Sequence, residues 1–266
     1  MGLYQNRIVV KVGTSTLTNE MGKSDLRSFD RLACVLSDIQ NMGYEVILVS
    51  SGAIAIGIHK LNMKERPSSI RMKQAAAAVG QCSIMYLYDK FFGDYDKTIA
   101  QILLNAEDIE QEEKKENLTN TFNTLLEMGI IPVVNENDSV SLSEIESEDR
   151  LFGDNDMLSA VVAVLCRAKQ LIIFSDINGL YDADPRLHPN AKLISRIEHM
   201  DEKVYSLAGG AGSRRGTGGM KTKLRAAGLA TMQGIDTIIT NGRSPEALYE
   251  IVKGNQAGTV FAGKTS

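Results

Sequence analysis

Gly216-Thr217-Gly218-Gly219-Met220-Lys221-Thr222-Lys223 places glycines, hydroxyls and two lysines directly ahead of a stretch predicted to be helical from Leu224 to Met232. That composition suits a polyphosphate. Glycines let main-chain N–H groups approach an anion, a helix N-terminus adds partial positive charge, and each lysine supplies a mobile point charge. By itself the segment also reads as a flexible surface loop feeding a helix.

Lys11 is the second candidate. It stands between Val10 and Val12 in an apolar run, where a buried strand rejects a charge unless an anion meets it. Gly13-Thr14-Ser15 follows and offers main-chain donors for the same anion. The plainer reading is an edge-strand lysine whose head snorkels to water.

Gly153-Asp154-Asn155-Asp156 concentrates two carboxylates and an amide at the mouth of an apolar helix running from Met157. One of these residues is expected to cap the helix. The other aspartate is then free to hold Lys11 and Lys223. Asn135-Glu136-Asn137-Asp138, after Val133-Val134, reads either as a polar turn or as a set suited to a zwitterion with an ammonium and a carboxylate.

These residues need a scaffold that gathers them. Arg7 to Val12 reads as a buried parallel strand ending at Gly13, and Ser24 is expected to cap a helix carrying Leu26, Phe29, Leu32, Leu36 and Ile39, stopped by Gly43. The unit recurs as a strand at Glu45 to Val49, the turn Ser50-Ser51-Gly52, a helix from Ala53 and a long helix from Arg71 to Phe92. Further strands are expected at Thr98 to Leu103, Ile130 to Val134, Gln170 to Phe174 and Asp236 to Ile239. Helices are expected near Leu118 to Met128, Met157 to Arg167 and Lys221 to Gln233. Such alternation predicts an α/β fold with an open, mainly parallel sheet between helical layers. Ligands then bind at the carboxyl ends of the strands, where all the polar clusters fall.

Composition excludes several classes. A net charge of −4 argues against a general nucleic-acid surface. Cys34, Cys82 and Cys166 are expected to be reduced packing residues. The sequence starts without a targeting pattern and holds no apolar run long enough to span a bilayer, so a cytoplasmic protein with no membrane association is expected. Its 266 residues carry no linker, which predicts a single domain over 1–266. His59, His188 and His199 lie beside no nucleophile motif. Phosphoryl transfer to a carboxylate needs no general base, because the acceptor is already ionised at neutral pH; lysines, glycine N–H groups and a bound Mg²⁺ suffice. Gly258 to Thr265 matches the P-loop expression, but a P-loop needs a following helix and the sequence ends at Ser266. Glu112 to Glu116 reads as the solvated face of a helix.

With these residues in hand, the chain resembles the glutamate 5-kinases of the amino acid kinase family, which phosphorylate the γ-carboxylate of L-glutamate from ATP in the first step of proline synthesis. The resemblance runs end to end through Val-Val-Lys11-Val-Gly-Thr-Ser, Ser-Ser51-Gly-Ala-Ile-Ala-Ile-Gly, Pro-Val-Val-Asn-Glu-Asn-Asp138, Gly-Asp-Asn155-Asp156, Ser175-Asp176-Ile-Asn-Gly-Leu-Tyr-Asp-Ala-Asp-Pro-Arg and the Gly216 to Lys223 loop. It implies that Lys11 and Lys223 stabilise the transferring phosphoryl, with Asp156 orienting them. It implies that Ser51, Gly52, Asp138 and Asn155 hold glutamate, with Asn135 lining the same pocket. ATP falls to Lys11, Gly13, Ser175, Asp176 and Thr217, Gly218, Gly219, Met220, Lys221, Thr222 and Lys223. Mg²⁺ is expected without direct ligands from protein side chains.

The resemblance also implies an αβα sandwich, a dimer or tetramer, and a γ-glutamyl phosphate reductase as functional partner. Two departures from the resemblance are expected: no C-terminal PUA domain, and a segment from Ser139 to Asp154 that is longer and more acidic than in the family. Proline sensitivity is left open. The alternatives are another kinase of the same fold, acting on acetylglutamate, aspartate, carbamate or a nucleoside monophosphate, a non-catalytic amino-acid sensor, and a dinucleotide-dependent dehydrogenase. The last lacks a G-x-G-x-x-G after the first strand.

Overall fold

β-Branched runs alternating with amphipathic helices produce one eight-stranded sheet in the computed structural model, which describes residues 2–19, 22–140, 154–208 and 219–264. In chain order the elements begin β1 (Tyr4–Lys11), α1 (Thr14–Leu17), α2 (Leu26–Asn41), β2 (Glu45–Val49), α3 (Ala53–Lys60), α4 (Ile70–Gly93), β3 (Ile99–Leu104), α5 (Ala106–Glu110) and α6 (Glu112–Glu127). They continue with β4 (Ile131–Glu136), α7 (Asn155–Leu165), β5 (Ala168–Ser175), β6 (Arg196–Ile197), α8 (Glu202–Ser206), α9 (Met220–Met232), β7 (Asp236–Asn241), α10 (Ala247–Val252) and β8 (Thr259–Phe261).

The sheet order is β3-β4-β2-β1-β5-β7-β8-β6, parallel throughout except for the β7–β8 pair. β1 is therefore central, with β2 on one side and β5 on the other. That reversal of strand order opens a crevice at the carboxyl ends, where sheets of this kind bind ligands.

Side-chain parity decides what each face of β1 meets. Ile8, Val10 and Val12 pack with α2, α4 and α10 residues such as Phe29, Leu36, Tyr88 and Leu248. Val9 packs on the other face with Leu158 and Ala160 of α7 and Leu224 and Ala226 of α9. Because side chains alternate along a strand, Lys11 shares the face of Val9 and is aimed at α7 and α9. A one-residue slip of β1 would carry Lys11 to the wrong layer and expose the core set.

Several boundaries differ from the sequence-based expectation. Asp25, not Ser24, caps α2, accepting from the N–H groups of Arg27 and Ser28; an aspartate aligned with two free amides is the stronger acceptor. β4 extends through Asn135 and Glu136, so these residues belong to a strand rather than a turn. α6 begins at Glu112, and the charged run is its exposed face. Cys166 is buried as expected, whereas Cys82 is exposed. Of the P-loop-like segment, Gly258 turns at φ 95° into β8, and the Thr259 hydroxyl accepts from the Leu180 N–H. Its work is structural.

α3 and α4 cross at van der Waals contact because glycines face each other's backbone. A Cβ on Gly57 would overlap the Ala76 carbonyl, and one on Gly80 would overlap the Ala53 carbonyl. This close crossing fixes where the next residue of α4, Gln81, stands over β4.

Candidate active site

The carboxyl ends of β1, β2, β4 and β5 bring together what the sequence scatters. Lys11 is the last residue of β1, and its Nζ lies 2.7 Å from Asp156 Oδ1. Lys223, in the first turns of α9, reaches Asp156 Oδ2 at 3.0 Å. The Thr222 hydroxyl lies 2.8 Å from the same oxygen. Asp156 is 1% exposed and each lysine 7%. The Lys11 contact is a charge pair rather than a well-directed hydrogen bond, since Oδ1 has no such partner.

Burial alone would raise the Asp156 carboxyl, but the two ammonium groups and the hydrogen bonds outweigh it and hold the group well below the usual carboxylate range. Asp154 is the capping residue: it accepts from the N–H groups of Asp156 and Met157 at 2.8 and 3.0 Å. Burial, and next the adjacent Asp156 charge, push the Asp154 carboxyl above its ordinary value. Two ammonium groups flank one firmly ionised carboxylate in a poorly solvated place, so an arriving anion would meet cations already held in position.

The turns after β1 and β2 touch. Gly13 packs beside Lys11 Nζ, the Thr14 and Ser51 hydroxyl oxygens are 3.3 Å apart, and Ser51 donates to the Val12 carbonyl at 3.1 Å. Gly52 sits at φ 97°, in the left-handed region, and opens α3 beside Thr14. Beyond that turn lies a cavity of about 440 Å³ lined by Ala53, Gln81, Cys82, Glu136 and Asp138 among others. Its size falls within the roughly 300–1,000 Å³ of small-molecule sites. Burial pushes the Asp138 carboxyl up to about 6. Asn155 opens α7, half-buried, one residue before Asp156.

Of the residues expected to hold glutamate, Asp138 lines this cavity and Ser51, Gly52, Asn135 and Asn155 do not. Asn135 is 1% exposed and stands behind the wall, its Nδ2 donating to Gln81 Oε1 at 2.8 Å. Gln81 is the wall residue that the sequence reading missed: no motif surrounds it, and only the α3–α4 crossing brings it here.

On the other side of β1, Ser175 ends β5 and is 6% exposed, and its hydroxyl donates to Asp176 at 3.3 Å. Arg186 pairs with Asp176 at 2.6 Å, and the Gly242 N–H donates to the Ser175 carbonyl at 2.9 Å. Neither Arg186 nor Gly242 was singled out from sequence. Gly219 is the N-cap of α9 and has no side chain to cap it, so among the described residues the N–H groups of the first turn are left for another acceptor. Thr217 and Gly218 lie outside the described residues. Among the described residues no cluster of His, Cys, Asp or Glu could hold a metal ion, and no helix is long and apolar enough to cross a membrane.

Comparison with known proteins decides the ancestry. The model of the amino acid kinase family matches residues 6–241. The chain belongs to the amino acid kinase family. Its relatives within that family include the glutamate 5-kinase of Clostridium perfringens (strain 13 / Type A), 54% identical over 97% of this chain and 96% of the relative. The glutamate 5-kinase of Clostridium acetobutylicum is 49% identical over 97% of this chain and 95% of its own. That of Listeria innocua is 48% identical over 97% and 93%. Among solved structures, carbamate kinase from Giardia lamblia bound to AMP-PNP superposes with a TM-score of 0.69 at 15% identity, covering 97% of this chain and 98% of that one. UMP kinase from Bacillus anthracis gives 0.65 at 12%, covering 98% and 97%. Those two likenesses speak for the amino acid kinase fold, a mostly parallel sheet between helical layers.

Proposed function

We propose that the protein transfers the γ-phosphoryl group of ATP to the γ-carboxylate of L-glutamate, giving L-glutamyl 5-phosphate and ADP. The observation that carries the reading is the Lys11–Asp156–Lys223 set on β1, α7 and α9. The order of the sheet puts an acidic cavity on one side of it and the β5 end on the other.

A γ-carboxylate oxygen attacks phosphorus while the bond to the β–γ bridging oxygen breaks, and the electron pair leaves with ADP. No proton has to move, because both nucleophile and leaving group are anionic. The chain's task is to bring two anions together and to stabilise the charge spread over the phosphoryl oxygens. Lys11 and Lys223 meet that charge from two sides. Asp156 keeps both ammonium heads turned inward, and Thr222 limits the rotation of its carboxylate.

Asp138 faces the α-ammonium of the acceptor, and Ser51, Gly52 and Asn155 hold its remaining polar groups. Asn135 supports that site from behind the cavity wall. Gly13, Ser175, Asp176 and the loop from Thr217 to Lys223 take the nucleotide. Mg²⁺ enters as the complex with ATP and is part of the substrate. A cytoplasmic, single-domain homo-oligomer, dimer or tetramer, remains our reading of the assembly. The acyl phosphate product hydrolyses or cyclises readily, so a γ-glutamyl phosphate reductase is the partner that consumes it.

The test is hydroxylamine trapping. With ATP and Mg²⁺, hydroxamate should form with L-glutamate and not with N-acetylglutamate or aspartate, and UMP should not stimulate ADP release. A silent reaction with glutamate, or turnover driven by UMP, would overturn the assignment.

A further inference from the structure

We propose that Gln81 is a specificity residue of the acceptor site, its Nε2 donating to the α-carboxylate of the bound amino acid while its Oε1 is anchored on Asn135. The inference rests on the glutamate reading above and deepens it.

Gln81 lies on α4 and lines the cavity together with Asp138. Its Oε1 is taken by Asn135 Nδ2 at 2.8 Å, which leaves the Nε2 donors without a protein partner among the described residues. Asn135 Oδ1 is buried without a partner. A pair of amides that merely packed α4 onto β4 would still leave the buried Asn135 oxygen unsatisfied, at a cost of about 1–3 kcal/mol.

The other polar groups on the cavity wall explain what the donor is for. Glu136 and Asp138 bring carboxylates to the cavity, and these suit an ammonium group. They repel a carboxylate, so a zwitterionic ligand needs a donor somewhere on the same wall. Of the amides on the cavity's described lining, Gln81, Gln101 and Asn137, it is Gln81 that is held by a buried side chain, Asn135. The anchor matters because a free glutamine side chain would lose rotamer entropy on binding, whereas Asn135 holds this one in place before the ligand arrives. Gly80 adds rigidity from behind, since the absence of a side chain there is what allows α4 to rest on Ala53.

Two variants separate this role from that of a strut. Gln81→Met keeps the volume and removes donor and acceptor; Gln81→Glu keeps an acceptor for Asn135 and removes the donor. Initial rates are measured with L-glutamate and ATP varied in turn, and thermal melting is recorded for each protein. Both variants should raise KM for glutamate about 10- to 100-fold, the worth of one hydrogen bond to a charged group, with KM for ATP unchanged. A wild-type KM in Gln81→Glu would show that only the Asn135 anchor matters and would overturn the proposal. So would an unchanged KM in Gln81→Met, or parallel rises in both KM values with a lowered melting temperature. Should one variant fail to fold, the other decides by the same criterion. Wild-type protein inactive toward glutamate would instead bring down the kinase reading itself, and this proposal with it.

Discussion

Asp154 and Asp156 share one helix mouth and divide its duties: Asp154 accepts the N–H of Asp156 at 2.8 Å and caps α7, which leaves the Asp156 carboxylate to the two lysines. Capping and clamping therefore fail separately.

Asp154→Ala should cost about 1 kcal/mol of stability, the worth of an N-cap, with turnover largely kept. Asp156→Asn should lower turnover by about 10²-fold or more, as for the loss of a charge-organising group. It should also cost about 3–5 kcal/mol, because two buried ammonium groups lose their counter-charge. Urea unfolding and steady-state rates on both variants check the division; equal kinetic losses would refute it.

The same carboxylate predicts an acid limit. Its folded-state pKa is depressed, so its stabilising contribution is full above the ordinary carboxylate range and is lost as pH falls through the folded value. Urea midpoints of wild type and Asp156→Asn, well apart at pH 7, should converge as the pH drops below about 4. A gap that persists in strong acid would contradict the ion-pair account.

Asp138 predicts the opposite behaviour, in binding. With its carboxyl raised to about 6 by burial, Asp138 in the empty site becomes ionised only as pH rises through that value, and in its proposed role it meets the acceptor's ammonium in the ionised form. KM for glutamate should therefore fall between pH 5 and 7, whereas the acceptor's own carboxyls, near 4, are already ionised there. Asp138→Asn should raise KM and flatten this dependence. Folding runs the other way and in a lower window: because the pKa is raised on folding, stability falls as pH rises from the ordinary carboxylate range near 4 to about 6 and is level above it.

Gly80→Ala tests the helix crossing behind the cavity. Its new Cβ meets the Ala53 carbonyl, so α4 must lift from α3, at about 1–3 kcal/mol for an overpacked core. Since Gln81 rides on that helix, KM for the acceptor should rise while KM for ATP is unchanged. Melting temperature and the two KM values check it together.

Much of this was legible in the sequence, for physical reasons. Lys11 betrayed itself as a charge in an apolar strand, and strand parity then fixed its direction once Val9 and Val10 were assigned to opposite faces. The aspartate pair was readable because a helix needs one cap and two were offered. Gln81 and Gly242 were not readable, and Arg186, though it ends the quoted Ser175 motif, gave no sign of its pairing with Asp176. Their roles come from a helix crossing, a long loop and the β5–β7 pairing, which are tertiary facts that no local pattern records. The antiparallel β8 was missed as well, because a three-residue strand shows no period. Asn135 was readable as a polar residue at a strand end, but its burial against Gln81 was not, since that depends on the packing of α4 on β4.

On the proposed mechanism Lys223 serves the reaction and not the binding of the acceptor. This is tested most directly by comparing single-turnover phosphoryl transfer with equilibrium glutamate binding in Lys223→Ala. The rate should fall by about 10²–10³-fold, as when a single charge-stabilising group is removed from a transition state, with the glutamate dissociation constant nearly unchanged. Equal losses in rate and in binding would make Lys223 a structural lysine and contradict the account.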